Sequence, residues 1–279
     1  MNELLAKTLG MNIAIFVFVS LFSLGLDLTV KQIVDPLRDR QLLGRALTAN
    51  MFVVPLLMLG LTTIFPLDES TRIGLLLYAG CIGSEAAPKF AQVARGNAAF
   101  GVALLGIFLP ITVIGVPLAL AQAFPDVHIE QGKLVLKLII IVVLPMCLGL
   151  YLNAKHTSLA MRVNPLMHRI SSLFLLIVFS QVIYVNFDKL SLLSHLTLTA
   201  GLLFFTLAFV VGYLFGGPLG ENRRALAIMT VTRGGSISMM IAGQAFPHDQ
   251  AVLVIATVMT ALSVVVVVPG SFLIRRMTT

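Results

Sequence analysis

The sequence predicts an all-α membrane protein of about nine transmembrane helices, and three observations lead to that fold class. Charged residues make up 11% of the chain and hydrophobic residues 58%, with a mean hydropathy of +1.00, whereas a soluble domain carries about 25% charged residues. Apolar stretches long enough to cross the hydrocarbon recur along the chain. Two of them are interrupted by glycine, proline and charged residues. We therefore expect one membrane domain, residues 1–279, with a polar site at the interruptions.

The apolar stretches divide into four in the first half of the chain and five in the second. Short connections with turn residues, as at 65–68, 124–126 and 216–218, separate them without an intervening soluble domain. Each stretch has about the 20 residues that one crossing requires. The nine expected helices cover residues 4–28, 42–64, 73–93, 98–124, 134–152, 166–185, 196–215, 225–246 and 251–274.

Basic residues are unevenly divided between the two sides that nine crossings define. The net charge of +7 comes from scattered residues without interleaved aromatics, so nucleic acid is not an expected partner. The positive-inside rule places the more basic loops in the cytoplasm, with the N-terminus outside and the C-terminus inside. We expect this membrane to be a bacterial inner membrane. The residues on the cytoplasmic side are Lys31, Arg38, Arg40, Arg45, Arg95, Lys155, Arg162, Arg169, Arg223, Arg224, Arg275 and Arg276.

The third stretch is interrupted near the expected bilayer midplane. Residues 80–89 read Gly-Cys-Ile-Gly-Ser-Glu-Ala-Ala-Pro-Lys, which places Gly83, Pro88 and two charges at this depth. Proline removes a backbone donor and displaces the carbonyl four residues earlier. Freed backbone groups survive in a membrane only where protein or a water-filled cavity satisfies them. A helix break here therefore indicates a polar cavity.

The eighth stretch carries a second interruption. Residues 230–238 combine the adjacent Gly234 and Gly235 with hydroxyl side chains, Ser236 among them, and the full positive charge of Arg233. The hydroxyl groups beside both breaks have an alternative role, which is to bond back to carbonyls of their own helices. The predicted helix breaks are Gly83, Pro88, Gly234 and Gly235.

The positions of the two interruptions suggest an inverted repeat. Each interrupted stretch is second from the end of its half, and the alternation of charged loops makes the two run in opposite directions. This pattern is typical of secondary transporters. We expect a first repeat at 1–124 with four helices, its opening helix missing, and a second repeat at 133–275 with five.

Three charged residues at mid-depth mark the expected substrate site. Glu85, Lys89 and Arg233 would each cost roughly 2.5–3.5 kcal/mol at the centre of a membrane helix. Glu85 and Lys89 are four residues apart, so one interpretation is an ion pair that only holds the break closed. The possible partners of Arg233 are Glu85, Asp27 or a bound anion, and an anionic substrate is the most economical choice. The expected substrate-binding residues from this pattern are Ser84, Glu85, Lys89, Arg233, Gly234 and Ser236.

Rival classes of function are less well matched. A channel would show constrictions or rings of like charge, and an enzyme would show a nucleophile elbow, a zinc motif or a His/Asp cluster. A transport-inactive sensor stays open as an alternative. Cys81 and Cys147 are expected to be free thiols, and no metal or cofactor is expected. The histidines sit at or near loops of the expected topology and receive no role: His128, His156, His168, His195 and His248.

Three stretches of the chain match motifs of one transporter family. Residues 22–28 and 49–55 (Phe-Ser-Leu-Gly-Leu-Asp-Leu and Ala-Asn-Met-Phe-Val-Val-Pro) are similar to M-G-L-T-L and Q-F-x-I-M-P. Residues 83–99 are similar to P-G-G-T-A-S-N followed by A-R-G-N-x-A-L-S, and the A-R-G-N at 94–97 is the most specific match. Residues 224–235 are similar to the start of R-x-L-A-I-E-V-G-M-Q-N-S. Along nearly its whole length the chain resembles the bile acid:sodium symporter family.

The resemblance implies a core domain and a panel domain, with two discontinuous helices crossing in the core. It also implies alternating-access transport of organic anions, usually with two sodium ions. The family's Ser-Asn sodium ligands correspond to Ala87 and Pro88 in this chain. Its glutamate and glutamine ligands correspond to Met229 and Arg233. Of the expected ligands only Asn50 keeps an amide, and Asn50 joins the expected substrate-binding residues.

These replacements predict a different coupling from that of the family. They remove oxygen ligands for sodium, while Lys89 and Arg233 add positive charge that can substitute for the two ions as tethered cations. Uniport or proton coupling would follow. Glu85 is the predicted proton carrier because burial favours the neutral form of a carboxyl group, although Lys89 opposes this. The alternative is a sodium-coupled symporter that uses other ligands.

Overall fold

The structure, a computed structural model, describes residues 2–34, 38–84, 86–123, 131–185 and 194–276. Regular secondary structure in these ranges is helical, with an isolated antiparallel bridge between Ile82 and Arg233. In chain order the α-helices are α1 (Asn2–Asp27), α2 (Val30–Val34), α3 (Arg40–Thr48), α4 (Val54–Ile64), α5 (Glu69–Gly80), α6 (Ala87–Val93), α7 (Ala98–Ala123), α8 (Gln131–Leu138), α9 (Leu144–Lys155), α10 (Thr157–Val185), α11 (His195–Phe215), α12 (Gly220–Val231), α13 (Gly235–Ala245) and α14 (Gln250–Arg276).

Seven helical spans in the described residues are long and apolar enough to cross a membrane. The prediction of an all-α membrane protein is confirmed in this form. The helix predicted over 166–185 begins nine residues earlier, at Thr157, because its first turns are polar and fall outside an apolar stretch. The seven spans are Thr8–Asp27, Arg40–Ile64, Ala98–Ala123, Gly132–Lys155, Thr157–Val182, His195–Phe215 and Gln250–Arg276.

Two of these spans contain a π-helical turn ahead of a proline. The turn Ala49–Val53 joins α3 to α4, which has Pro55 in its first turn, and the turn Ile139–Val143 joins α8 to α9, which has Pro145 in its first turn. Proline has no N–H and pushes away the carbonyl four residues before it, so the helix widens locally instead of ending.

The predicted helices over 73–93 and 225–246 are each divided into two short helices. The first division leaves α5 with 12 residues and α6 with 7, and the second leaves α12 with 12 and α13 with 11. A crossing takes about 20 residues, so none of these four helices spans alone. The nine crossings therefore remain a prediction. This prediction requires the two short helices of each interrupted segment to cross the membrane together as one broken helix.

The helices form two neighbourhoods. In one, α1 packs along both α9 and α10. In the other, the short helices α5, α6, α12 and α13 pack on α14, while α12 also packs against α6 and α11. The α7 helix contacts α6 and α12, and α1 meets α13 where the two neighbourhoods join.

The contact between α1 and α9 depends on two glycines. A Cβ atom at Gly25 would overlap the carbonyl oxygen of Met146, and a Cβ atom at Gly149 would overlap that of Phe22. Small residues allow membrane helices to approach in this way. Just beyond α1, Asn153 Nδ2 donates a hydrogen bond to the carbonyl oxygen of Leu28 at 2.8 Å. The end of α1 is thus fixed against α9.

Replacing Gly149 with alanine should lower the unfolding temperature of the detergent-solubilised protein by several degrees. Overpacking typically costs roughly 1–3 kcal/mol, and for a chain of this size each kcal/mol corresponds to about 2–4 °C. The matched control is Gly10→Ala on α1, because no atom lies within 4 Å of the added Cβ. Equal unfolding temperatures for the two variants would show that α1 and α9 are not in backbone contact.

Candidate functional site

The two helix breaks meet and exchange backbone hydrogen bonds. Ile82 and Arg233 form the antiparallel bridge, and the Gly234 N–H donates to the carbonyl oxygen of Cys81 at 2.8 Å. The hydroxyl of Thr112 on α7 donates to the carbonyl oxygen of Ile82 at 2.7 Å. Carbonyl and amide groups that helical bonds would otherwise pair are satisfied within the protein, as a low-dielectric interior requires.

Glycine is required at the first break for two reasons. Gly83 has φ = +91°, in the left-handed region that side chains disfavour. An added Cβ there would lie 3.0 Å from Cβ of Phe108. On the other chain segment, a Cβ at Gly234 would lie 3.0 Å from the carbonyl oxygen of Gly83. The two segments can approach this closely because neither carries a side chain at these points.

Each break is followed by a new helix start. After the first, the Ser84 hydroxyl accepts a hydrogen bond from the Ala86 N–H at 3.4 Å, and Pro88 occupies the first turn of α6. Proline is well tolerated there because its missing N–H has no intrahelical acceptor. After the second break, Gly235 opens α13 against Thr260, whose side chain would lie 2.5 Å from an added Cβ.

Arg233 is a buried cation at the crossing point. Its exposed fraction is 2%, and its Nη1 lies 3.5 Å from the carbonyl oxygen of Asn50. Its Nε and Nη2 have no hydrogen-bond partner among the described residues. Its ionisable neighbours are Tyr78 and Cys81, which are not carboxylates. Of the partners considered from the sequence, Asp27 pairs with other groups, and Glu85 lies outside the described residues.

Asn50 connects the π-helical turn to the second broken helix. Its Nδ2 donates to the carbonyl oxygen of Ala46 at 3.0 Å and to the hydroxyl of Thr230 at 3.2 Å. Its side-chain oxygen is buried and has no partner among the described residues. Among the described residues, the crossing therefore contains an amide oxygen without a partner and a guanidinium with two nitrogens without a partner.

Replacing Arg233 with methionine should raise the unfolding temperature. Methionine has similar length, and it removes a buried charge whose desolvation is not offset by an ion pair within the described residues. Thermal unfolding in detergent measures this, with Arg162→Met as the control because Arg162 is exposed on α10 and should be nearly neutral. A fall in stability for Arg233→Met would show that the guanidinium is paired in the folded protein.

A second polar region lies away from the crossing, in a cavity of about 440 Å³ between α1, α6, α7 and α10. Lys89 enters it from α6, Asp27 from α1 and His168 from α10. Its polar lining also includes Ser20, Gln32, Gln92, Ser171 and Ser172. Its apolar walls are Phe16, Leu24, Leu28, Ala86, Pro88, Val102 and Leu175. The cavity therefore combines a charged cluster with an uncharged remainder of polar and apolar side chains.

The charged cluster is held by direct hydrogen bonds. His168 Nε2 lies 3.0 Å from Asp27 Oδ2, and Asn164 Nδ2 donates to the other carboxylate oxygen. Lys89 Nζ lies 3.2 Å from both ring nitrogens of His168. The side chains of His168 and Asp27 are 37% and 41% exposed, so the cluster is open to water in the cavity.

The sequence prediction gave His168 no role because it placed this residue next to a loop. His168 instead lies three turns inside α10. The sequence of α1 does indicate a polar helix–helix contact. Its polar residues recur at spacings of 4, 8, 3 and 4 and so share one helical face. These residues are Thr8, Asn12, Ser20, Ser23 and Asp27.

That polar face of α1 is bonded to α10. Asn12 Nδ2 donates to the side-chain oxygen of Gln181 at 2.8 Å, and the hydroxyls of Ser20 and Ser171 are 2.6 Å apart. The Ser23 hydroxyl donates to the side-chain oxygen of Asn164 at 2.6 Å. Side-chain hydrogen bonds between helices stabilise membrane proteins, so α1 and α10 are joined along most of their length.

The predicted substrate-binding residues do not form one group. Lys89 lines the cavity, together with Pro88. The other described residues of the set are buried near the crossing and do not line this cavity: Asn50, Ser84, Arg233, Gly234 and Ser236. The predicted proton carrier, Glu85, lies outside the described residues. Among described residues, no group of three or more His, Cys, Asp or Glu side chains could hold a metal ion.

The A-R-G-N stretch joins the two broken helices after α6. The Asn97 N–H donates to the carbonyl oxygen of Glu221 at 3.0 Å, and its Nδ2 donates to Asn222 Oδ1 at 2.9 Å. Arg95 has φ = +54°, and its carbonyl oxygen accepts from Arg224 Nε at 2.9 Å. The most specific motif in the sequence thus fixes the end of the first broken helix to the start of the second.

Comparison with known proteins finds similarity to membrane transporters. The model of the sodium bile acid symporter family matches residues 14–193. The chain is 25% identical over 236 residues to a probable chloroplastic sodium/metabolite cotransporter of Arabidopsis thaliana, covering 82% of this chain and 58% of the relative. It is also 25% identical over 211 residues to an uncharacterised sodium-dependent transporter of Bacillus subtilis, covering 73% and 63%. The chain thus spans about three fifths of the length of each relative.

Proposed function

Because the chain belongs to the sodium bile acid symporter family, we propose that it transports a small organic anion across a membrane by alternating access. The observation that carries this proposal is the open cavity in which Lys89 lies beside the first helix break. An ammonium group in a water-accessible cavity attracts an anion, and the apolar walls accept its organic part. The membrane is expected to be a bacterial inner membrane.

The proposed topology has nine crossings in two inverted repeats, with the C-terminus in the cytoplasm. The antiparallel pairing of Ile82 with Arg233 supports it, because broken helices that run in opposite directions present their non-helical segments in this orientation. In this topology Asp27, Lys89 and His168 lie in the cytoplasmic half, so the cavity opens inward.

Alternating access requires two bodies that move relative to each other. We assign α1, α9 and α10 to a panel and the broken helices with α14 to a core, following the two packing neighbourhoods. The cavity lies along their boundary, where Lys89 of the core contacts His168 of the panel. An anion bound between these residues contacts both bodies, which is how its binding can favour one arrangement over the other.

Coupling to sodium is the point on which this chain is proposed to depart from its relatives. Arg233 supplies a permanent positive charge at the crossing, where a carboxylate or amide ligand would be needed for sodium, and Met229 supplies no oxygen. We propose that Arg233, together with Lys89, acts as a tethered cation. A sodium-coupled alternative would have to use the unpaired side-chain oxygen of Asn50.

Replacing Lys89 with glutamine should weaken anion binding at least about tenfold, since a hydrogen bond to a charged group contributes about 1.5–3 kcal/mol. Radiolabelled acetate, phenylacetate, succinate and cholate are tested for counterflow in proteoliposomes, and the half-saturating concentration of the transported anion is compared between variants. The control is Lys155→Gln, because Lys155 is exposed at the end of α9, outside the cavity.

The counterflow measurement also separates the rival functions. Saturable exchange of a labelled anion supports a carrier, whereas flux that rises linearly with concentration supports a channel. A chain that binds an anion but exchanges none of it would support a sensor. An unchanged half-saturation for Lys89→Gln would move the substrate site away from this cavity.

Sodium dependence is tested by imposing a gradient. Uptake by wild-type proteoliposomes should differ less than about twofold between sodium and N-methylglucamine, because a tethered cation replaces the bound ion. Arg233→Gln should lower uptake at least about tenfold in both media, which corresponds to losing about 1.4 kcal/mol of electrostatic stabilisation from the tethered charge. Strong sodium dependence that survives this substitution would contradict the tethered-cation proposal and favour the sodium-coupled alternative.

A further inference from the structure

We propose that Asp27, His168 and Lys89 form a site that binds a monocarboxylate together with one proton. This inference rests on the proposed anion transport and names its substrate class and its proton-binding group. It differs from the sequence prediction, which assigned the proton to Glu85. Three features carry it: the direction of the hydrogen bonds, the charges around the cluster, and the shape of the cavity.

The hydrogen bonds determine which nitrogen of His168 is free to bind a proton. An aspartate carboxylate can only accept, so His168 Nε2, 3.0 Å from Asp27 Oδ2, carries the hydrogen and donates it. In this neutral tautomer Nδ1 is the acceptor of the ring, and it can accept from Lys89 Nζ, which lies 3.2 Å from both ring nitrogens. In this form one cation and one anion are joined through a neutral ring, and the cluster has no net charge.

Protonation of His168 changes the cluster from one whose charges are balanced internally to one that can bind an anion. A proton from solution binds Nδ1, which places a second positive charge 3.2 Å from the Lys89 ammonium. The Nδ1–H and the ammonium are then both hydrogen-bond donors and cannot bond to each other. This arrangement is repulsive unless a negative acceptor enters. A carboxylate supplies two oxygens, one for the Nδ1–H and one for Nζ. One proton and one carboxylate enter together, so the loaded cluster has the same charge as the empty one.

The other charged groups near the cluster favour the entry of an anion. The facing elements α7 and α13 carry no charged residue, and Glu3 and Lys7 lie at the far end of α1, at least about 30 Å along the helix from Asp27. The remaining charges on neighbouring elements of the described part of the chain are cationic: Lys31 on α2, Lys155 on α9, Arg162 and Arg169 on α10, and Arg275 and Arg276 on α14. Among the described residues around the cluster, Asp27 is therefore the acidic side chain, so an entering carboxylate meets mainly cations.

The cavity shape favours one carboxylate with an apolar body. The charged cluster is confined to one part of a lining that is otherwise uncharged, and a second carboxylate would have no described cation to meet. The walls include Phe16, Leu24 and Leu175, and the volume of about 440 Å³ exceeds what a carboxylate group alone would fill. A monocarboxylate with an aromatic or aliphatic body therefore fits both parts.

The test uses phenylacetate as the probe and phenylacetamide as its uncharged counterpart. Binding to the full chain in lipid nanodiscs is measured by calorimetry from about pH 6 to 8, a range in which imidazoles titrate and phenylacetate stays ionised. The apparent Kd of the wild-type chain should fall about tenfold for each unit that the pH is lowered while His168 is neutral, because one proton binds per anion. Phenylacetamide should show no such slope.

Substitutions test which residue binds the proton that accompanies the anion. His168→Gln keeps an amide that can donate to Asp27 and an oxygen that can accept from Lys89, but it binds no proton, so the slope should disappear. His156→Gln is the matched control, because His156 is exposed between α9 and α10, and it should keep the slope. Glu85→Gln should also keep the slope. Loss of the slope in Glu85→Gln with retention in His168→Gln would overturn the inference.

A measurement on the wild-type chain covers the case in which His168→Gln does not fold. Calorimetry in two buffers with different ionisation heats gives the number of protons taken up, and about one per phenylacetate is expected where His168 is neutral. Saturable binding with no proton uptake would overturn the inference and leave the proposed anion transport standing. Absence of saturable binding at every pH would overturn both.

Discussion

The structure depends on one constraint, which is that backbone groups opened inside a membrane must find partners within the protein. Each break in this chain supplies partners to the other, through the bridge of Ile82 with Arg233 and the bond from the Gly234 N–H to Cys81. A single break would leave these groups unpaired in an apolar surrounding, so the two breaks stabilise each other. The A-R-G-N turn adds a second connection between the same two helices, close to their ends on one side of the bundle.

The crossing concentrates polar groups among buried side chains, with Asn50 and Arg233 at 0% and 2% exposed. Asn50 reaches it from a π-helical turn, and Arg233 is placed there by the bridge itself. A guanidinium buried without a carboxylate partner among the described residues is costly, and the surrounding helices must offset that cost by packing. The backbone from which this charge extends is therefore held in place by the crossing.

The sequence located the breaks because glycine and proline act on their own segment of backbone, as Gly83 and Pro88 do here. The cavity could not be located from the sequence. The sequence indicates how deep a residue lies in the membrane, but not which neighbouring helices it faces. Lys89 and Arg233 were placed at one depth and joined into one site, whereas the fold separates the cavity from the crossing. His168 was missed because the polar first turns of α10 hid the true start of that helix.

The separation of the two cations has a consequence for the energetics of transport. A sodium ion that binds and leaves in each cycle carries free energy from its gradient into the carrier, whereas Arg233 stays in place and carries none. A tethered cation can therefore provide the electrostatic field for an anion but cannot drive its accumulation. In the proposed mechanism, transport then runs down the gradient of the anion or draws on a second ion that does exchange with solution. Within the described residues, the exposed cluster of Asp27, His168 and Lys89 is a place where such an exchange can occur, because its side chains contact both the panel and the core.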